Sequence, residues 1–174
     1  MTIKAPGGGD DDAGWRSGSR LGGLVTPAWV QARLGDPNFS ILDVRGEVRK
    51  LGVSSDGFED HEYVGLQGDY VDGHIPGAVF VDWTKDIART DSNGVKAQLV
   101  SEEDFIVTMQ EKGVNLSKKV VVYDNGNHLF ATRLWWALRT YGHKAVYVMD
   151  GGWARWEAED RPVSADSPCP LKVC

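Results

Sequence analysis

Cysteine is nearly absent from this sequence. The two present, Cys169 and Cys174, both lie close to its end. A pair placed there cannot staple a core, so the chain is not a disulfide scaffold. An excess of positive charge is missing too. Lys and Arg number 19 against 25 Asp and Glu, a formal net charge of -6. That balance argues against nucleic acid as a partner, because phosphate binding needs a basic face. No apolar run approaches the roughly 18 residues of a membrane-spanning helix, so no membrane partner is expected. No EF-hand spacing occurs, and neither a metal nor a cofactor is expected. What is present is globular: 41% apolar and 25% charged residues in 174, the length of one domain with a tail to spare.

Residues 1–22 are rich in Gly, Ser and Asp and lack an apolar period. They read as a flexible leader without the apolar segment of a secretory signal, which leaves the cytoplasm as the default address. The folded domain is expected over 23–163, with a Pro- and Ser-rich tail or linker over 164–174. Within the domain, Leu24-Val25, Ser40–Val44, Val79–Val81, Val120–Tyr123 and Ala145–Met149 read as strands. Thr26-Pro27 opens one helix and Ser101 caps a second that stops at Gly113. The strongest helix runs from Leu129 to Tyr141, with Ala131, Leu134, Trp135 and Leu138 on one stripe. Trp136 lies off that stripe and is expected against a neighbouring element. A short helix closes the domain over 153–159. Residues 46–70 are charged and glycine-bearing and read as an irregular insertion. Continuous apolar strands alternating with helices predict an α/β domain with a mainly parallel central sheet covered on both faces. Function in such sheets gathers beyond the carboxyl ends of the strands. Two loops leave there: Asp43-Val44-Arg45, and Asp124-Asn125-Gly126-Asn127-His128.

Four motifs resemble the rhodanese, or thiosulfate sulfurtransferase, family. Tyr70-Val71-Asp72-Gly73-His74-Ile75-Pro76-Gly77-Ala78 is similar to its F/Y-x3-H-I/L/V-P-G-A signature. Asp43-Val44-Arg45 is the second motif, and Asp150-Gly151-Gly152-Trp153 with Trp156 the third. The fourth is Arg133-Leu134-Trp135-Trp136-Ala137-Leu138-Arg139, followed by Gly142-His143. Together they span residues 24–163 in family order. The resemblance implies a three-layer rhodanese-like fold. The Trp135-Trp136 pair, Asp82-Trp83-Thr84 and Tyr123-Asp124 are most similar to the first, non-catalytic domain of tandem members. A cysteine-bearing second domain, or another partner protein, is then the implied partner.

The chemistry of the family implies a cysteine at a strand end, its thiolate held by loop N–H groups and a helix N-terminus. That thiolate takes a sulfane sulfur from a small donor anion such as thiosulfate. By motif order Asp124 stands in its place, at the head of a loop completed by Leu129 and Phe130. A carboxylate forms no stable persulfide, and its charge repels the donor. The related dual-specificity phosphatases need an Arg six residues after their Cys, and Phe130 stands there. An aspartyl-phosphate mechanism needs a second Asp where Gly126 stands. No convincing catalytic residue remains, so the domain is expected to be inactive alone.

Loop support is expected from Asp43, Arg45, His74 and Arg133. Asp43 and Arg45 read as a structural ion pair, His74 as an orienting group for the turn before Pro76, and His128 as a solvent-facing residue at the helix entry. Asp56, Glu59, Asp60, His61 and Glu62 read as a solvated acidic loop. Two other functions stay open. One is a stand-alone binding module that recognises a partner through residues 124–130. The other is a single-domain sulfurtransferase that carries sulfur on Cys169 or Cys174.

Overall fold

The computed structural model describes residues 23–53 and 55–166. Cys169, Cys174 and the leader over 1–22 lie outside the described residues. In chain order the elements are β1 (Leu24–Val25), α1 (Pro27–Gln31), β2 (Phe39–Asp43), β3 (Gly46–Val53), β4 (Glu59–Gly65), α2 (Gln67–Asp72), β5 (Ala78–Phe80), β6 (Ala88–Arg89), β7 (Gln98–Leu99), α3 (Glu102–Glu111), β8 (Lys119–Tyr123), α4 (Leu129–Thr140), β9 (Val146–Met149) and α5 (Gly152–Ala158).

Five strands form the central sheet in the order β1-β9-β8-β2-β5. Every pairing in it is parallel. The strand that carries the longest apolar run sits in the middle: Val120, Val121, Val122 and Tyr123 are all fully buried. Side chains on a strand alternate between faces, and here both faces are dry. Val120 and Val122 join Leu42, Phe105, Met109, Leu134 and Leu138 in a core under α3 and α4. Val121 and Tyr123 join Ile41, Trp29, Met149 and Trp156 in a second core under α1 and α5. This is the helix–sheet–helix layering expected from continuous apolar strands.

The helix starts follow local chemistry. Thr26 Oγ1 accepts the Trp29 amide at 3.2 Å, with Pro27 in the first turn of α1. Ser101 Oγ accepts the Asp104 amide at 3.2 Å ahead of α3.

Residues 46–70 are not irregular, contrary to expectation. They form an antiparallel β3–β4 hairpin with a bulge between Lys50 and Gly52, followed by most of α2. The acidic residues expected in a solvated loop lie on this hairpin, where cross-strand charges pair. Arg49 meets Glu62 at 3.7 Å and Lys50 meets Glu59. Lys96 reaches Asp60 at 3.5 Å. Among the described residues no group of His, Cys, Asp and Glu is placed to hold a metal ion. No described helix is long and apolar enough to cross a membrane.

Two smaller differences concern boundaries and exposure. Ser164 exchanges both backbone hydrogen bonds with His74, each at 2.9 Å, so pairing to the domain runs one residue past the boundary drawn at 163. Trp136 faces outward, 50% exposed, rather than meeting a neighbouring element.

Candidate functional site: the loop at the switch point of the sheet

From β2 the chain passes outward to β5, and from β8 it passes to β9 on the opposite side. The β2/β8 boundary is therefore the point where strand order reverses, the usual ligand crevice of an open α/β sheet. Asp43 and Tyr123 are register partners at the ends of these two strands. Asp124 and the loop into α4 follow directly.

The Asp124 carboxylate is fully buried and closes the loop on itself. Oδ1 accepts the amides of Gly126 at 2.8 Å and His128 at 3.2 Å. Oδ2 accepts those of Phe130 and Ala131, each at 3.1 Å. Phe130 and Ala131 lie in the first turn of α4, where free N–H groups and the helix dipole favour negative charge. Four converging N–H groups make a nest for one anion, and the chain supplies that anion itself.

The neighbouring Asp150-Gly151-Gly152-Trp153 turn locks the loop from the side. Trp153 N–H donates to the Asp124 carbonyl at 2.7 Å, and Ala154 N–H to that of Asn125 at 3.2 Å. Gly152 sits at φ 52°, and a Cβ there would lie 2.5 Å from the Asp124 carbonyl oxygen and 2.7 Å from the Gly126 nitrogen. Only glycine allows so close an approach in that conformation.

His128 does not simply face solvent, as its position at the helix entry suggested. It takes a left-handed conformation, φ 64°, and its Nε2 accepts the Gly151 amide at 3.2 Å. Asp150 Oδ1 lies 3.9 Å from the same ring nitrogen. Asn125 Oδ1 accepts the Gly46 amide at 3.1 Å and Asn127 Oδ1 the Leu129 amide at 3.0 Å. Leu129 is exposed, whereas Phe130 is buried against Trp83 with ring centroids 5.0 Å apart.

Beneath the loop lies a buried polar hub. Asp43 takes Arg45 Nε at 3.1 and 3.0 Å on its two oxygens, and Arg45 Nη2 at 2.8 Å. It also takes the Tyr123 hydroxyl at 2.6 Å. Arg45 Nη2 donates further to the carbonyls of Gly73 at 2.6 Å and Asp69 at 3.2 Å. The Tyr123 hydroxyl accepts the Ile75 amide at 3.3 Å, tying the signature turn to both strand ends. Burial and the Asp43 charge push the Tyr123 phenol well above its usual range. The same two causes raise Tyr70 to about 12. Both phenols stay neutral at any ordinary pH, as hydrogen-bonding struts rather than acids or bases. Tyr123 is the member of this hub that sequence reading assigned no role. Its position at the end of a buried strand, beside Asp124, was the available signal.

 His74 is buried at the same end of the sheet, next to Ile75, whose amide the Tyr123 hydroxyl accepts. His74 Nδ1 meets the Tyr70 carbonyl at 2.8 Å, and its ring stacks on Tyr70 at 4.1 Å. Nε2 is buried without a partner among the described residues. The ring thus braces the turn of the signature and touches no residue of the Asp124 loop through a described hydrogen bond. Arg133 does not support that loop either. It donates to the Ala97 carbonyl and holds the segment before β7.

The comparisons with known proteins agree with this geometry. Residues 26–159 match the family model described as the rhodanese-like domain. The chain belongs to the rhodanese-like family. It is 37% identical over 137 residues to a 3-mercaptopyruvate sulfurtransferase of Escherichia coli, covering 79% of this chain and 44% of that protein. It is 31% identical over 145 residues to the sulfur carrier protein TtuD of Thermus thermophilus, covering 83% of this chain and 43% of that one. Among solved structures, the 3-mercaptopyruvate sulfotransferase SseA of Escherichia coli superposes with a TM-score of 0.66 at 35% identity, over 83% of this chain and 50% of that one. The chain therefore spans about half the length of the relatives it matches.

Proposed function

We propose that this domain is the non-catalytic half of a sulfurtransferase, and that Asp124 stands where catalytic rhodanese domains carry their cysteine. One observation carries the reading: the buried Asp124 carboxylate already takes all four converging amides of the loop. In sulfur transfer a thiolate attacks the outer sulfur of thiosulfate, the S–S bond breaks, and sulfite leaves with the electron pair. The persulfide then gives its outer sulfur to a nucleophile such as cyanide. A carboxylate oxygen is a hard and weak nucleophile toward sulfur, and Asp124 is shielded from solvent. It also occupies, with like charge, the nest that would draw a donor anion in.

The role left to the domain is to pack against a cysteine-bearing partner domain and help form the cleft between them. The names of the relatives make 3-mercaptopyruvate and thiosulfate the donors to test. The test is thiosulfate:cyanide sulfurtransfer by the purified chain, with intact mass read after thiosulfate alone. No thiocyanate and no added sulfur are expected. Turnover that disappears in a Cys169→Ser, Cys174→Ser variant would overturn the reading and make a cysteine near the end of the sequence the sulfur carrier.

A further inference from the structure

Beside the Asp124 loop, at the same end of the sheet, lies a cavity of about 360 Å³ that the proposed role leaves unused. Its lining joins four parts of the chain: Arg45 after β2, Asp69 and Asp72 of α2, Asn125 of the loop after β8, and Trp153 and Glu157 of α5. The lining separates into donors and acceptors. Arg45 is only 3% exposed. Its Nε and Nη2 are engaged by Asp43, Asp69 and Gly73, while Nη1 has no hydrogen-bond acceptor among the described residues. Asn125 uses Oδ1 on the Gly46 amide, and its Nδ2 donor has no acceptor among the described residues. One guanidinium N–H and one amide N–H thus remain for an acceptor.

The carboxylates of Asp69, Asp72 and Glu157 are exposed, and none has an ion pair or hydrogen bond among the described residues. Asp69 and Asp72 stand three apart on α2, a spacing that puts them on one helix face. Glu157 lies one turn beyond Trp153 on α5. The Arg45 charge is matched by Asp43, so the three carboxylates give the cavity a negative surplus that favours a cationic group. Trp153 adds an aromatic wall, with the Arg45 guanidinium 4.5 Å from its ring centroid.

We infer that this cavity binds a small zwitterion of the α-amino acid class. Its carboxylate meets Arg45 Nη1 and Asn125 Nδ2, and its ammonium meets Asp69, Asp72 and Glu157. A site that uses both ends of a ligand discriminates against a molecule with only one of them, because the unmatched polar groups lose their water without a partner. The cavity has room for such a ligand, and its volume falls within the range of small-molecule sites. No covalent step is involved, and the inference does not depend on the sulfur chemistry of the loop.

The test is titration of the full chain with L-alanine, propionate and ethylammonium, followed by the Trp153 indole N–H resonance and by calorimetry. Saturable binding of L-alanine, at least about tenfold tighter than either half-molecule, is expected from one lost charged hydrogen bond. Two variants check the assignment, with thermal unfolding confirming their fold. Asn125→Asp keeps the acceptor for the Gly46 amide but replaces the donor with a charge that repels carboxylate. Asp72→Asn with Glu157→Gln removes two of the three anions. Each is expected to weaken L-alanine about tenfold or more. Ethylammonium binding as tightly as L-alanine would overturn the inference by showing that the donors are not used. So would no binding of L-alanine, or L-alanine binding that neither variant changes.

Discussion

Replacing Asp124 by Ala removes the acceptor of four backbone amides at once. Two of them, Phe130 and Ala131, are in buried hydrogen bonds, and two, Gly126 and His128, are in partly buried ones. Water reaches the second pair more readily. The first pair is stranded, and each stranded buried amide costs about 1–3 kcal/mol. Against this, the native state no longer holds a desolvated carboxylate. The expected net loss is about 3 kcal/mol, which at roughly 3 °C per kcal/mol lowers Tm by about 9 °C. Asp124→Asn keeps one acceptor oxygen and turns an amide group toward two N–H donors, so about half that loss is expected. Urea unfolding followed by tryptophan fluorescence measures both. Formate supplies the missing carboxylate and is expected to raise the Tm of the Ala variant in a saturable way while leaving the native chain unchanged at matched ionic strength. A loss below about 1 kcal/mol for Asp124→Ala, with no formate effect, would refute the view that this carboxylate organises the loop.

Three other perturbations probe neighbouring parts. Gly152→Ala forces a Cβ to within 2.5 Å of the Asp124 carbonyl oxygen at φ 52°, and a loss of at least about 2 kcal/mol is expected in the same urea assay. Asp43→Asn leaves the buried Arg45 without its counter-charge and is expected to cost about 3–5 kcal/mol, part of which returns when Arg45→Met is added. His143 is held below its ordinary value by burial, against a hydrogen bond to the Asn115 carbonyl that favours its charged form. The unfolded chain therefore binds this proton more tightly than the folded one. Stability from this group is full above the unfolded value of about 6.5 and falls as pH drops through it toward the folded value. Urea unfolding at pH 8 and pH 5.5 should show that fall, and His143→Gln should make the slope shallower.

The order of the main elements was legible because burial on both faces leaves a plain mark, the continuous run Val120-Val121-Val122-Tyr123. The hairpin of β3 and β4 was not, because it leaves no such mark. Most of its side chains are exposed, and charged cross-strand pairs stand where an apolar face would reveal a strand. Helix α2 was hidden by a glycine at its second position and by Leu66, which offers no capping side chain. At the site, Asp124 could be singled out by motif order as the head of the loop between a strand and a helix, but its burial and its four amide partners could not. The left-handed conformation of His128 and its bond to Gly151 could not, since both depend on a turn distant in sequence. Arg133 misled because closeness in sequence to the loop is not closeness in space: its side chain reaches Ala97.

The strand order also constrains how the domain can be made. The two strands at the centre, β2 and β8, are joined through a hydrogen bond between residues 80 apart, Tyr123 to Asp43. Among the described residues the first strand, β1, has β9 as its only neighbour in the sheet. On a ribosome that adds about 5–20 residues per second, β1 and β2 therefore emerge seconds before their partners exist. Their apolar faces must wait unpaired, exposed to chaperones or to neighbouring chains. The sheet becomes whole only when Met149 is free to meet Val25, so ordering of the site loop waits until all five strands of the sheet have been made.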